Sequence, residues 1–500
     1  MKLWVLLAVV LSMGLLVEGD AWARRRPRAA APSQSAAKPA LAPNAGQPTA
    51  APVASEPSAP TVAAPATEQA APSILKPATE AKPAQPVAAS GAKDAPKPTP
   101  AAAADPAVVA AATKRVQELG GDLEYDAAKN VVGLDLLDGQ PTNADVELAV
   151  KAFPNLQKLK LYGAAIKDAG VSHLTALARL KDLVLENTDI TRASVIELAK
   201  IKTLESLNLR RSTFLKDEAL AALKGLPKLQ QLSLLYNNFS DRGMAHVKDM
   251  TGLRLLDLRG CDIGDAGLEK LQGLVNLKAL KLRSPYISDS GLETLKKLPK
   301  LKSLIIEDTS MITDAGLEVI GGLLELDELE LFRCASITDD GLANLKGLAN
   351  LRRLKLRDNA ISCAGLAKLK GLAKLEHLDL SETQATDAAL ESVKAFTGLR
   401  YLDLWHTRIT DAGLEHLQGL SSLETLSLKG TAVSDAGLRR LKGLGKLKSL
   451  NLDENKITDA GLEQLSGLKN LKTLSVKTTE VSDAGVQKFG KSVAGCQVLR

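Results

Sequence analysis

From Leu156 to its C-terminus the chain repeats one pattern fourteen times, and we call each copy a layer. Successive layers start 24 residues apart, or 25 in three cases. A period this regular predicts a solenoid, in which each unit buries its apolar face only against its neighbours. The layers begin at Leu156, Leu180, Leu204, Leu229, Leu253, Leu277, Leu301, Leu326, Leu351, Leu375, Leu399, Leu423, Leu447 and Leu471.

Each layer contains two hydrophobic periods, as in LRYLDLWHTRITDAGLEHLQGLSS from residue 399 to 422. In the first part the residues alternate, so that Leu402 and Leu404 point to one side and Tyr401, Asp403 and Trp405 to the other. In the second part the leucines recur with a period near 3.6, which predicts a short helix with one apolar face. The unit is therefore strand, turn, short helix, turn.

Polar residues and glycines mark the ends of these elements. Ser or Thr followed by Asp predicts a helix N-cap with a negative charge near the positive end of the helix dipole, and Asp stands there in twelve of fourteen layers. Lys-Gly pairs such as Lys346-Gly347 and Lys442-Gly443 predict a left-handed glycine at the helix end. Small polar residues after the strand predict a ladder of hydrogen bonds between layers. They are Thr188, Ser212, Asn237, Cys261, Thr309, Cys334, Asn359, Thr383, Thr407, Thr431, Asn455 and Thr479.

The combination of LxxLxLxxT with ITDAGLxxLxxL resembles the leucine-rich repeat, in the ITDxGL variant found in many bacterial proteins and in F-box-associated receptors. The resemblance covers residues 131–500. It implies an α/β solenoid, a right-handed arc with a parallel sheet on its concave face and short helices on its convex face. Ligands of that family usually dock on the concave sheet. An F-box-like substrate receptor is disfavoured, because Ala and Pro occupy the place of the F-box domain.

The segments before the solenoid predict an exported protein, periplasmic, cell-surface or secreted, and the resemblance to the repeats of many bacterial proteins implies a bacterial one. Lys2, the apolar run 3–17 and Ala21-Trp22-Ala23 predict a signal peptide (1–23) cleaved after Ala23. The basic run 24–28 opposes translocation, so an uncleaved membrane anchor stays open. Residues 24–105 hold most of the chain's 22 prolines and predict a disordered Ala/Pro-rich linker. Residues 106–155 predict a helix-and-hairpin cap, and 156–500 the solenoid.

No residue pattern indicates an enzyme, a metal site or a cofactor. The five histidines and four cysteines have no metal-ligand spacing, and no catalytic triad, nucleophile elbow or phosphate-binding glycine loop is present. The helix-start aspartates lack the Gly-rich loop of repeat calcium binders, which favours capping. The formal charge of +6 is spread along the chain, so nucleic acid is not an expected partner.

The outward strand positions change character between the layers that begin at Leu326 and Leu399. Elsewhere these positions are small or mixed polar, whereas here charged residues stand beside aromatic ones, the composition of a binding hot spot. The hypothesis is a protein, peptide or glycan partner on this face. The alternatives are that the charges only pair across strands, or that the protein is a structural, self-associating component of the cell envelope. The candidate residues are Glu328, Glu330, Phe332, Arg353, Lys355, Arg357, His377, Tyr401, Asp403, Trp405 and His406.

Overall fold

The computed structural model describes residues 104–500. The signal peptide 1–23, its cleavage after Ala23 and the linker up to residue 103 lie outside the described residues, and they stay predictions. Within residues 104–500, no helix is long and apolar enough to cross a membrane.

The described residues form one sheet of seventeen strands in chain order. β1 pairs antiparallel with β2, and every later strand pairs in parallel with the next, as Leu378, Leu402 and Leu426 do in register. This confirms the solenoid predicted from the repeat. The strands are β1 (Asp122–Tyr125), β2 (Val131–Leu136), β3 (Lys158–Tyr162), β4 (Asp182–Glu186), β5 (Ser206–Asn208), β6 (Gln231–Ser233), β7 (Leu255–Asp257), β8 (Ala279–Arg283), β9 (Ser303–Glu307), β10 (Glu328–Phe332), β11 (Arg353–Lys355), β12 (His377–Asp379), β13 (Tyr401–Asp403), β14 (Thr425–Ser427), β15 (Ser449–Asn451), β16 (Thr473–Ser475) and β17 (Gln497–Leu499).

Short helices alternate with the strands. The α-helices among the described residues are α1 (Pro106–Glu118), α2 (Asn143–Ala152), α3 (Asp168–Ser172), α4 (Arg192–Leu198), α5 (Asp241–Val247), α6 (Asp265–Glu269), α7 (Asp289–Leu292), α8 (Asp314–Gly321), α9 (Asp339–Leu342), α10 (Asp387–Val393), α11 (Asp435–Leu438), α12 (Asp459–Gln464) and α13 (Asp483–Ser492). Helices of 3-10 type span His173–Ala176, Asp217–Gly225, Lys270–Gly273, Glu293–Lys297, Ala343–Gly347, Ala364–Leu369, Gly413–Leu417 and Arg439–Gly443.

The core is a stack of leucine columns between the strands and the helices. Leu402 on the strand, Leu404 directly after it, and Leu414 and Leu417 on the helix side are each 0 % exposed. Full burial of such a side chain contributes about 2 kcal/mol relative to leaving it exposed. The residues that alternate with the strand leucines are therefore left on the opposite, outer face of the sheet.

The N-terminal end of the stack is closed by the predicted helix and hairpin. α1 begins after Asp105, whose carboxylate accepts a hydrogen bond from the backbone N–H of Ala107 at 2.8 Å. β1 and β2 form the hairpin, and α2 adds a second helix that the sequence analysis did not anticipate. Arg115 of α1 holds Asp145 of α2 at 2.7 Å, which ties the two helices together.

The polar ladder after the strands is confirmed, but left-handed glycines at the helix ends are not. Asn359 Nδ2 donates to the Leu331 carbonyl of the preceding layer at 2.7 Å. Gly347 and Gly443 end 3-10 turns without a positive φ. The left-handed residue instead lies directly before the ladder position, where the strand turns sharply away from the sheet. Its non-glycine occupants are Asn187, Arg211, Tyr236, Asp308, Arg333, Asp358, Glu382, His406, Glu454 and Thr478.

The helix-start aspartates bind the following layer, and the expectation that each one caps its own helix was wrong. Asp411 Oδ1 accepts the backbone N–H of Ser434 at 2.7 Å, and its Oδ2 accepts the Ser434 hydroxyl at 2.6 Å. The Ser or Thr, as predicted, caps its own helix: Ser434 Oγ accepts from Ala436 N. The same bond to the next layer is made by Asp168, Asp217, Asp241, Asp265, Asp289, Asp314, Asp339, Asp387, Asp435 and Asp459.

These bonds from each aspartate to the next layer, which we call the aspartate ladder, explain the glycine of ITDAGL. A Cβ on Gly437 would lie 2.3 Å from Asp411 Oδ1, so an apolar side chain there collides with the carboxylate of the preceding layer, whereas Ser194 at the equivalent position donates its hydroxyl to Asp168. Nine further residues stand in the same relation to an Asp or Asn oxygen, at 2.0 to 2.5 Å: Gly170, Gly243, Gly267, Gly291, Gly316, Gly341, Gly413, Gly461 and Gly485.

Two layers lack the aspartate, and in both the following layer carries alanine in place of glycine. Arg192 stands at the helix start before Ala219, and Cys363 before Ala389. Cys363 has a left-handed backbone with φ 65° and starts a 3-10 turn. Both alanines are 1 % exposed, so their methyl groups fill the space that the carboxylate takes in the other layers.

Candidate binding surface on the sheet

The strand register brings the predicted residues together in two rows on the outer sheet face. Glu328, Arg353, His377 and Tyr401 are successive Cα partners from β10 to β13. The second row contains Glu330, Lys355, Asp379 and Asp403, likewise in successive register. Phe332, Arg357 and Trp405 lie where the strands end.

Ion pairs between β10 and β11 occupy one side of this surface. Arg353 Nε lies 3.1 Å from Glu328, and Lys355 Nζ lies 3.0 Å from Glu330. Ser303 also donates to Glu328 at 2.6 Å. These hydrogen bonds and the nearby cations outweigh burial and hold the pKa of Glu328 below its usual range. The charge pairing that was the alternative hypothesis is therefore present, and it fixes the side chains beside the aromatic residues.

Stacked rings and two neighbouring carboxylates form the middle of the surface. The His377 and Tyr401 rings are parallel within 3°, with centroids 3.9 Å apart. Burial, together with Lys355 and Arg353, lowers the pKa of His377 to about 4, so the imidazole is neutral at pH 7. Burial and the Asp403 charge raise the pKa of Asp379 to about 6.

Trp405 stands at the strand end between two cationic side chains. The Arg357 guanidinium lies 4.8 Å from its ring centroid and the Lys429 amine 5.3 Å. Arg357 also lies 5.5 Å from the Phe332 ring, and Glu382 holds its Nε at 2.7 Å. The Trp405 Nε1–H is buried and has no acceptor among the described residues.

Several of these contacts skip a layer, and a small residue separates the partners each time. Arg357 reaches Trp405 across Ser381, and His406 reaches Glu454 at 3.2 Å across Gly430. A Cβ on Gly430 would lie 2.5 Å from the His406 ring. The sequence signal for such contacts is a small residue between two long ones at the same position of successive layers.

A small residue that follows a long one at the equivalent position of the next layer also marks a second cluster, which the sequence analysis missed. Tyr236 reaches across Gly260, and its hydroxyl accepts a hydrogen bond from Arg283 at 2.5 Å. The guanidinium carbons of Arg210, Arg211 and Arg283 lie 5.3 to 5.9 Å from the Tyr236 ring centroid. We call Arg210, Arg211, Tyr236, Gly260 and Arg283 the arginine–tyrosine cluster.

The groups that could bind metal or react covalently are dispersed or buried. Of the described residues, no three or more His, Cys, Asp or Glu side chains are grouped to hold a metal ion. All four cysteines are free thiols, and Cys261, Cys334 and Cys363 are buried. Burial raises the pKa of the Cys261 and Cys363 thiols to about 12 and that of Cys334 to about 11.

Comparisons with known proteins agree with the repeat. Residues 397–457 and residues 251–271 match two models of the leucine-rich repeat. Among solved structures, the chain is similar to an internalin from Listeria monocytogenes, with 23 % identity, 74 % of this chain and 94 % of that chain covered, and a TM-score of 0.48. It is also similar to a leucine-rich repeat protein from Leptospira interrogans, with 21 % identity, coverages of 72 % and 92 %, and a TM-score of 0.42. A search of curated proteins gave no match.

Proposed function

We propose that this leucine-rich repeat protein is a non-enzymatic, extracytoplasmic binding module that recognises a protein partner with the outer sheet face around Trp405. The leucine-rich repeat fold commonly serves protein binding, which supports the general class. The location outside the cytoplasm rests on the signal-like N-terminal residues alone.

The arrangement of Trp405 is the observation that carries the proposal. An indole between Arg357 and Lys429, next to the His377–Tyr401 stack, joins aromatic and cationic groups on one surface. Trp, Tyr and Arg are the residues enriched in interface hot spots, where one anchor is worth about 2 kcal/mol or more. In the next three strands, β14 to β16, the same face carries only Thr, Ser and Asn at the corresponding first and second rows.

The surrounding ion pairs support selectivity. Glu382 and Glu454 hold Arg357 and Lys429 in place, so the cations lie in fixed positions before a partner arrives. A partner with unmatched charge must break these pairs, and like-charge contacts at an interface cost affinity.

The experiment is quantitative crosslinking of the full chain in the envelope fraction of the cells that make it. Three versions are compared: wild type, Trp405→Ala, and Tyr125→Ala as a control, because Tyr125 is an exposed aromatic residue of the N-terminal hairpin, outside this surface. We expect Trp405→Ala to reduce the captured partner by about tenfold or more, as the loss of about 2 kcal/mol predicts, and the control to match wild type.

Two results contradict the proposal. Equal capture by all three versions would exclude Trp405 as an anchor. Concentration-dependent assembly of the purified chain in sedimentation experiments, with no other protein captured, would favour the structural, self-associating alternative.

A further inference from the structure

The arginine–tyrosine cluster is built around a ring that rests on a glycine. Gly260 has φ 70°, and a Cβ on it would lie 2.3 Å from Tyr236 Cδ1. The ring therefore occupies the place of a side chain in the next layer. From there its hydroxyl meets Arg283, two layers from its own.

The acidic neighbours balance all but one of the guanidinium groups. Arg210 pairs with Glu186 at 3.4 Å, and Arg283 pairs with Asp308 at 2.5 Å. Arg211 is exposed, and no acidic side chain among residues 104–500 pairs with it. One positive charge is therefore left over beside the Tyr236 ring. The neighbouring Arg210 Nε–H is also buried without an acceptor.

Exposed apolar side chains lie in the loops that carry Arg211 and Arg283 and in the loop of the layer after Arg283. Phe214, Tyr286 and Met311 are 59 %, 59 % and 52 % exposed. Each follows a strand end and precedes a helix, in the layers that begin at Leu204, Leu277 and Leu301. Large apolar residues with this exposure beside a surplus cation have the composition of an interaction surface.

We propose that the arginine–tyrosine cluster is a second binding site, which takes an Asp or Glu side chain from an acidic, partly apolar segment of a protein partner. The carboxylate pairs with Arg211, whose guanidinium the Tyr236 ring holds in place. The single negative charge of the carboxylate matches the single surplus positive charge of the cluster, whereas a phosphate ester brings nearly two negative charges.

This site is separate from the surface around Trp405. Trp405 lies eight layers after Arg211, which at about 4.8 Å per strand gives a separation of about 38 Å. Variants of Arg211 and of Trp405 therefore change groups that are far apart.

The experiment selects phage-displayed random dodecapeptides on the immobilised full chain and measures synthetic versions of the enriched peptides by fluorescence anisotropy. We expect the enriched sequences to place Asp or Glu beside apolar residues. We expect Arg211→Glu to weaken them at least tenfold, and Trp405→Ala to leave their affinity unchanged. Arg242→Glu makes the same charge change at an exposed position on α5 and is the matched control.

A second variant separates binding from folding. Arg211 has φ 55°, a conformation that glycine adopts more easily, so Arg211→Gly removes the charge without straining the backbone. We expect its melting temperature to be no lower than that of wild type and its peptide affinity to fall at least tenfold.

Three outcomes overturn the proposal. The first is that the enriched peptides lack acidic residues, and the second is that they bind Arg211→Glu as tightly as wild type. The third is that a peptide with phosphoserine in place of the acidic residue binds more tightly. The last outcome would assign the site to a doubly charged ligand.

Discussion

A methyl group placed on Gly437 is expected to break one rung of the aspartate ladder. The Cβ of Gly437→Ala would lie 2.3 Å from Asp411 Oδ1, about 1 Å closer than such atoms normally approach. The carboxylate must therefore rotate away. Its two hydrogen bonds to Ser434, now 2.7 and 2.6 Å long, are then lost.

The magnitude follows from these contacts. A hydrogen bond to a charged group contributes about 1.5 to 3 kcal/mol, and partial rehydration of the freed groups offsets part of that. Alanine gains about 1 kcal/mol over glycine in helix propensity. We therefore expect the free energy of unfolding to fall by about 2 kcal/mol. Urea denaturation followed by far-ultraviolet circular dichroism measures it.

A double-mutant cycle tests the cause. Once Asp411→Ala has removed the carboxylate, Gly437→Ala should cost little or even stabilise the chain, as alanine does naturally at Ala389 after Cys363. Simple addition of the two effects, or a Gly437→Ala variant as stable as wild type, would refute the steric argument.

Three further changes probe other features. Burial and the charge of Asp403 raise the pKa of Asp379 from 3.8 to about 6, so the folded state binds this proton more tightly than the unfolded state and loses stability as the pH rises from about 4 to 6. In urea denaturation, Asp379→Asn should be about 1 to 2 kcal/mol more stable than wild type at pH 7.5 and equal to it at pH 4. Thr478→Gly should raise stability by about 0.5 to 1 kcal/mol, since an exposed β-branched residue is strained at φ 56°, and a lower melting temperature would contradict this. Gly260→Ala should displace the Tyr236 ring and lower the melting temperature, whereas Gly419→Ala, with no atom within 4 Å of the new methyl, should not.

The fold was predictable because its information is local and repeated. The alternation in LRYLDLW fixes which side Leu402 faces, and the constant spacing fixes its register with Leu378 and Leu426. The pairing of Glu330 with Lys355 follows from the same spacing. The helix α2 was missed because it precedes the first regular layer at Leu156, and Asn143 stands in place of the helix-start aspartate there.

The aspartate ladder and the contacts that skip a layer were not predictable from the sequence of a single layer. A short helix start with Ser-Asp looks the same whether the carboxylate caps its own helix or binds the next layer, as Asp411 does. The approach of Arg357 to Trp405 depends on the small Ser381 between them. Such information appears only when equivalent positions are compared across three layers.

Because each of these glycines is paired with the aspartate of the layer before it, only some layers can be removed from the chain without a clash. Removing one whole layer between two ordinary ones leaves the carboxylate at the new joint facing a glycine, and the joint closes. Removing the layer of Cys363 would instead set Ala389 against Asp339, a methyl group against an oxygen. Each layer thus carries the carboxylate that binds its successor and the glycine that leaves room for its predecessor's carboxylate. Only layers in which these two features match can be joined.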